Sequence, residues 1–140
     1  PPTTAQLVAA VTEALPAGAP VNAILSRVFQ ALRIAVNEEL AALEEVLAQA
    51  VSVVAPAGRL VVIAYHSLED RIVKHTFREM SKDCRCDPGL PVCVCDCRPQ
   101  VRLLTRRVVR PGDAELADNP MARSTRLRAV VKLAVTEKVA

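Results

Sequence analysis

The chain has 140 residues, enough for one domain with its own core. Half of it is apolar with only two Phe, one Tyr and no Trp, so the core must come from Val, Leu, Ile and Ala, and no apolar run approaches the about 20 residues that cross a bilayer. The net charge of +3 is uneven: residues 1–80 hold six Lys/Arg against eight Asp/Glu, residues 81–140 twelve against seven, so the second half is the expected contact for a polyanion, a solvated basic face being the plain alternative.

The start, Pro1-Pro2-Thr3-Thr4 without Met and with no signal-peptide pattern, is expected to be a cut inside a longer protein. Thr3 or Thr4 is placed to cap a first helix through Leu7, Val8, Val11 and Leu15. Pro16-Ala17-Gly18-Ala19-Pro20 ends it. Apolar residues then step by three and four from Leu25 to Val54, which predicts one long helix over about 22–54. Asn37 is placed to kink or re-cap it, with Glu38 and Glu39 suited to a helix N-terminus.

Pro56-Ala57-Gly58 is a turn signal, and Leu60 to Tyr65 is apolar without a break. So short and continuous a run reads as a strand over about 59–65, buried on both faces as in a parallel sheet. His66-Ser67-Leu68-Glu69-Asp70 follows, and Ile72, Val73, His75, Thr76 and Phe77 resume a helical spacing to about Met80. Strand, polar turn, helix is how an open α/β sheet presents chemistry at the carboxyl ends of its strands. Ser67-x-x-Asp70 fits a capping box, and Asp70 and Lys74 fit an i,i+4 ion pair. Tyr65 and His66 are the candidates for contact with an unstacked base. A well-capped helix with a satisfied core His is the competing reading.

Residues 81–100 change character, being rich in Cys, Pro and Asp. Cys84-x-Cys86 and Cys93-x-Cys95-x-Cys97 each put thiols on one face of extended backbone, and residues 87–91 are placed to fold one arm on the other. Four thiolates, Cys84, Cys86, Cys93 and Cys95, would suit a structural zinc with Cys97 spare. Reduced cysteines in a loose loop are the alternative; a disulfide hairpin is disfavoured by the odd count and by a reducing cytosol. Strands are expected near 101–108 and 126–135. Between them Asp113 is placed to cap a short helix through Asp118, ended by Asn119-Pro120. Arg98, Arg102, Arg106, Arg107, Arg110, Arg123, Arg126 and Arg128 are candidate phosphate contacts, without neighbouring aromatics to make a stacking platform.

These elements read as the second half of an α/β sheet, with the last strand in the same sheet as the central one. No Gly-x-Gly-x-x-Gly and no P-loop occurs among only four glycines, so the chain alone is expected not to bind a nucleotide-like cofactor.

Four segments together resemble the bacterial 16S rRNA (cytosine-N4)-methyltransferases. They are Thr3-Thr4-Ala5-Gln6-Leu7, Phe29 to Leu40 (FQALRIAVNEEL), Leu60 to Lys74 with its His-Ser-Leu-Glu-Asp-Arg-Ile-Val-Lys core, and Asn119 to Arg128 (NPMARSTRLR). They stand in the family's order and span most of the chain. Ala23-Ile24-Leu25-Ser26 and Met121 depart from the family pattern. The resemblance implies an S-adenosylmethionine-dependent enzyme that methylates the exocyclic amine of a cytidine in the decoding region of small-subunit rRNA. It implies the C-terminal part of a doubly wound, Rossmann-like methyltransferase sheet with an antiparallel last strand, preceded by helices of an inserted subdomain. Residues 1–50 would be the end of that insertion and its return to the sheet. Residues 51–140 would be the C-terminal part of the methyltransferase domain, with a Cys-rich insertion at 81–100. The glycine-rich donor loop would belong to a missing N-terminal half, so no donor ligand is assigned here. Tyr65, His66, Ser67, Asp70 and Arg71 are the expected substrate-binding residues, with the methyl-transfer step itself unassigned. The implied partners are 16S rRNA in the small ribosomal subunit and the N-terminal half of the same enzyme, with a second copy of the chain as a further candidate, in the cytoplasm and away from membranes. Rival readings are a zinc-stabilised RNA-binding module without catalysis and a bare structural fragment.

Overall fold

The computed structural model describes residues 3–87, 89, 90, 92, 94, 95 and 97–134, which fall into two compact units divided after Glu39. In the first unit, helix α1 spans Thr4–Glu13 and helix α2 spans Val21–Val36. Thr3 caps α1 in a reciprocal box: its Oγ1 accepts the Gln6 N–H at 3.3 Å, and Gln6 Oε1 accepts the Thr3 N–H at 3.2 Å. The single long helix expected over 22–54 is instead two. Asn37 closes α2, and Glu38 turns to φ 50°, a left-handed conformation that no helix continues. Glu39 ties the break from below, accepting from Arg33 Nε at 2.8 Å, Arg33 Nη2 at 3.2 Å and Asn37 Nδ2 at 3.3 Å.

The second unit carries helix α3 (Glu39–Val53), strand β1 (Arg59–Ala64), helix α4 (Ser67–Met80), strand β2 (Val101–Leu103), helix α5 (Asp113–Asp118), a 3-10 turn at Pro120–Ser124 and strand β3 (Arg126–Lys132). The sheet order is β1-β3-β2, with β3 antiparallel to both neighbours. Arg59 stands opposite Val131 and Ala64 opposite Arg126; Val101 stands opposite Lys132. The core joins Leu47 and Val51 of α3, Val73 and Phe77 of α4, Val101 and Val130, with Leu60, Val62 and Leu103 packed against it.

Three strand expectations need correction. First, β1 is not buried on both faces: Val61 and Ile63 are 52 % and 53 % exposed, while Leu60, Val62 and Ala64 face the core. Helices α3 and α4 supply core residues to only one face of the sheet, and β1 is an edge strand with an antiparallel neighbour. Second, the strand expected near 101–108 pairs regularly only to Leu103. There Leu104 and Thr105 both donate their N–H to Ala129 O, at 2.9 and 3.2 Å, and the Thr105 hydroxyl accepts the Ala129 N–H at 2.9 Å. A side chain thus replaces a ladder carbonyl, and pairing resumes only at a bridge between Val109 and Leu127. Third, β3 ends at Lys132, and Val135 lies outside the described residues. The short helix has Gly112, not Asp113, at its N-cap.

Candidate functional site

The turn from β1 into α4 is built by a reciprocal clamp. His66 is the N-cap of α4, its Nδ1 accepting the Glu69 N–H at 3.3 Å. Glu69 Oε2 reaches back to accept the N–H groups of Tyr65 and His66 at 2.9 and 3.2 Å. Because Nδ1 is an acceptor, the neutral ring carries its proton on Nε2. That atom is shut off from solvent and lies 3.2 Å from Glu69 Oε1, out of line for a hydrogen bond. The capping box is therefore His66-x-x-Glu69 rather than the expected Ser67-x-x-Asp70, one residue later. Ser67 is exposed at the first helical position.

Asp70 is drawn elsewhere. Its two oxygens accept from Arg128 Nε at 2.6 Å and Nη2 at 3.2 Å, and the side chains are only 16 % and 10 % exposed. This forked pair bolts the first turn of α4 to β3. It corrects two expectations: Asp70 pairs with Arg128 rather than Lys74, and Arg128 is a buried brace rather than a phosphate contact. Arg71 and Lys74 are exposed.

What the clamp and brace hold out is Tyr65. The residue is 62 % exposed, directly beyond Ala64, and it continues the alternating face of Val61 and Ile63. Arg126 sits opposite Ala64 across the ladder, so a cation flanks the same strand end. The remaining arginines, Arg98, Arg102, Arg106, Arg107, Arg110 and Arg123, are exposed, and Arg102 and Arg106 line an open groove of about 380 Å³ with Asp83 and Ser81. Sequence reasoning named Tyr65 and His66 but missed Glu69, which makes three of the turn's bonds. The spacing His66-x-x-Glu69 was the available signal, with an unusual residue at the cap.

In the cysteine segment, Cys84, Cys86 and Cys95 come together, their sulfurs all within 4.8 Å of one another. Cys97 is turned away, its thiol donating to Lys82 O at 3.5 Å. Cys93 lies outside the described residues.

The profile of the MraW methylase family matches residues 2–133, nearly the whole chain. The chain belongs to the MraW methylase family. It is 61 % identical over 109 residues to the ribosomal RNA small subunit methyltransferase H of Thermomicrobium roseum, covering 78 % of this chain and 33 % of that protein. It is 52 % identical to the protein of the same name from Symbiobacterium thermophilum over 97 % of this chain and 43 % of the relative. The Geobacter sulfurreducens counterpart is 52 % identical over 93 % of this chain and 42 % of its own length. The chain thus spans about a third to two fifths of these relatives. No helix among the described residues is long and apolar enough to cross a membrane.

Proposed function

We propose that this chain is the C-terminal part of an S-adenosylmethionine-dependent enzyme that methylates the N4 amine of a cytidine in the decoding region of 16S rRNA, in the cytoplasm, and that the Tyr65 turn is one wall of its cytidine pocket. Family membership and the names of the relatives support the reaction class. The observation that carries the pocket is an aromatic ring held out at the carboxyl end of β1 by backbone bonds to Glu69.

The donor's cradle does not fit here. No glycine lies between β1 and α4, where Tyr65-His66-Ser67 makes the turn, so these residues do not offer the close backbone approach that a donor cradle needs. Among the described residues the β1-β3-β2 order leaves one edge of β1 open, and in this reading the N-terminal half of a doubly wound sheet pairs there and brings the donor loop. Residues 1–50 then belong to the end of a helical insertion. S-adenosylmethionine supplies the methyl group; this chain's residues hold the base.

Each side chain has a distinct part. Tyr65 stacks on the extruded ring, a contact typically worth about 1–3 kcal/mol. His66 contributes by fixing the turn rather than by the hydrogen bond to the base that its sequence position suggested, since Nδ1 is used in the cap and Nε2 is enclosed. Asp70 holds the helix start through Arg128, Ser67 stands at its open first turn, and Arg71 and Arg126 are placed to meet flanking phosphates.

The test is product identity. Full-length protein containing this chain, incubated with small ribosomal subunits and isotopically labelled S-adenosylmethionine, is expected to yield labelled N4-methylcytidine after nuclease digestion and mass spectrometry. Label on C5, on another base or on protein would overturn the reading.

A further inference from the structure

We propose that Cys84, Cys86 and Cys95 hold a structural zinc ion that staples the loop between α4 and β2, independently of the methyltransferase reading. Cys95 Sγ lies 3.8 Å from Cys84 Sγ, and all three sulfurs fall within 4.8 Å. Four sulfurs at about 2.3 Å from a tetrahedral zinc stand about 3.8 Å apart, so the Cys84–Cys95 pair has the spacing of a thiolate site and Cys86 lies within about an ångström of it. A disulfide needs about 2.05 Å between sulfurs and so does not describe this separation.

The backbone gives a second, independent sign. Each of the three sulfurs receives a main-chain N–H: Cys86 N–H to Cys84 Sγ at 3.4 Å, Val94 N–H to Cys86 Sγ at 3.3 Å and Arg85 N–H to Cys95 Sγ at 3.3 Å. A thiol is a weak acceptor, whereas a metal-bound thiolate takes such donors as charge-assisted bonds. Two arms of the loop cross-connect this way, residues 84–86 and 94–95, each donating to the other's sulfur.

Apolar burial gives the loop little support. Its apolar residues Leu90, Val92 and Val94 are exposed, so burial does not hold it. Its ends are fixed, with Gln100 N–H on Met80 O at 2.8 Å and Arg85 Nη2 on Glu79 O at 3.4 Å. The bend at Asp87 is closed locally, by Gly89 N–H on Asp87 Oδ1 at 3.1 Å and Leu90 N–H on Asp87 O at 3.0 Å, while bonds to sulfur link the two arms. Soft thiolate donors select zinc over the hard divalent cations. On binding, each thiol gives its proton to solvent as its sulfur takes a coordination position, and nothing is oxidised or reduced. The fourth position is filled from outside this trio, and Cys97, engaged with Lys82 O, is not a ligand.

The experiment is elemental analysis of the protein purified without chelator, beside thiol counting. About one zinc per chain is expected. Cys84→Ser, Cys86→Ser and Cys95→Ser should each lower retained zinc about tenfold or more after dialysis against a competing chelator, since even losing an outer partner of a ligand costs about 10–100-fold in affinity. Cys97→Ser should keep it. Thiol counting needs no variant: in the wild-type protein, the three sulfurs should become reactive only when a chelator removes the metal. Wild-type protein without zinc, or thiols equally reactive with and without chelator, overturns the proposal. So does zinc that survives the Cys84 and Cys95 substitutions or is lost with Cys97→Ser.

Discussion

Asp70 and Arg128 lie 58 residues apart in the chain and meet in a two-pronged bond, nearly closed to solvent. Such a pair is weak evidence of net stability, because the attraction first has to offset the desolvation of two charges. Removing one partner is a different matter, since it strands the other in a poorly solvated place. Asp70→Ala is expected to destabilise the protein by about 3 kcal/mol, at the low end for buried pairs because some solvent reaches both groups. Asp70→Ala with Arg128→Met should recover much of that loss, whereas an additive double mutant in chemical denaturation would show that the pair is not coupled. The same pair explains why Ser67-x-x-Asp70 does not cap α4: Asp70's oxygens are both taken by a β3 residue, and the box falls to His66 and Glu69.

At the scale of elements, the join between α3 and β1 leaves no room for a side chain at Gly58. A Cβ on Gly58 would stand 2.5 Å from Val54 Cγ1 and 2.7 Å from Ala55 O, and the second of these is backbone that cannot swing away. The Gly58 carbonyl also accepts the Lys132 N–H at 2.9 Å, which sets the β1–β3 register. Gly58→Ala is therefore expected to cost about 1–3 kcal/mol, as overpacking does; a melting temperature equal to wild type would contradict this. Pro56-Ala57-Gly58 announced that turn in the sequence, and the periodic runs announced α1, α4 and β3. What stayed hidden was set by distant partners. Six apolar residues look alike whether one face of a strand is covered or two, so the open face of Val61 and Ile63 was not legible. Neither was the interruption of β2, which depends on one Thr105 hydroxyl meeting Ala129. Asn37 marked the break in the long helix, but the left-handed turn falls on Glu38, a residue with no preference for it. In the candidate site, Tyr65 was legible from its place at a strand end, whereas the clamp by Glu69 was masked by the stronger capping propensity of Ser67. The cysteine pattern was legible because residues two apart share a face on extended backbone, and three of the four described sulfurs do converge.

For the whole molecule, the parts form a consistent division of labour. A three-stranded sheet, helix α4 and a buried ion pair hold one exposed aromatic ring at a strand end, and basic residues are spread over the second half of the chain. In the proposed function this ring grips the target base in a full-length enzyme whose donor loop lies elsewhere. The most direct measurement is steady-state methylation of small ribosomal subunits by full-length protein with Tyr65→Ala, beside calorimetric S-adenosylmethionine affinity for the same variant. Loss of a stacked base should lower kcat/KM for the subunit about tenfold or more, with donor affinity nearly unchanged and the variant still folded. Methylation at the wild-type rate, or a fall fully matched by loss of donor binding, would contradict the account.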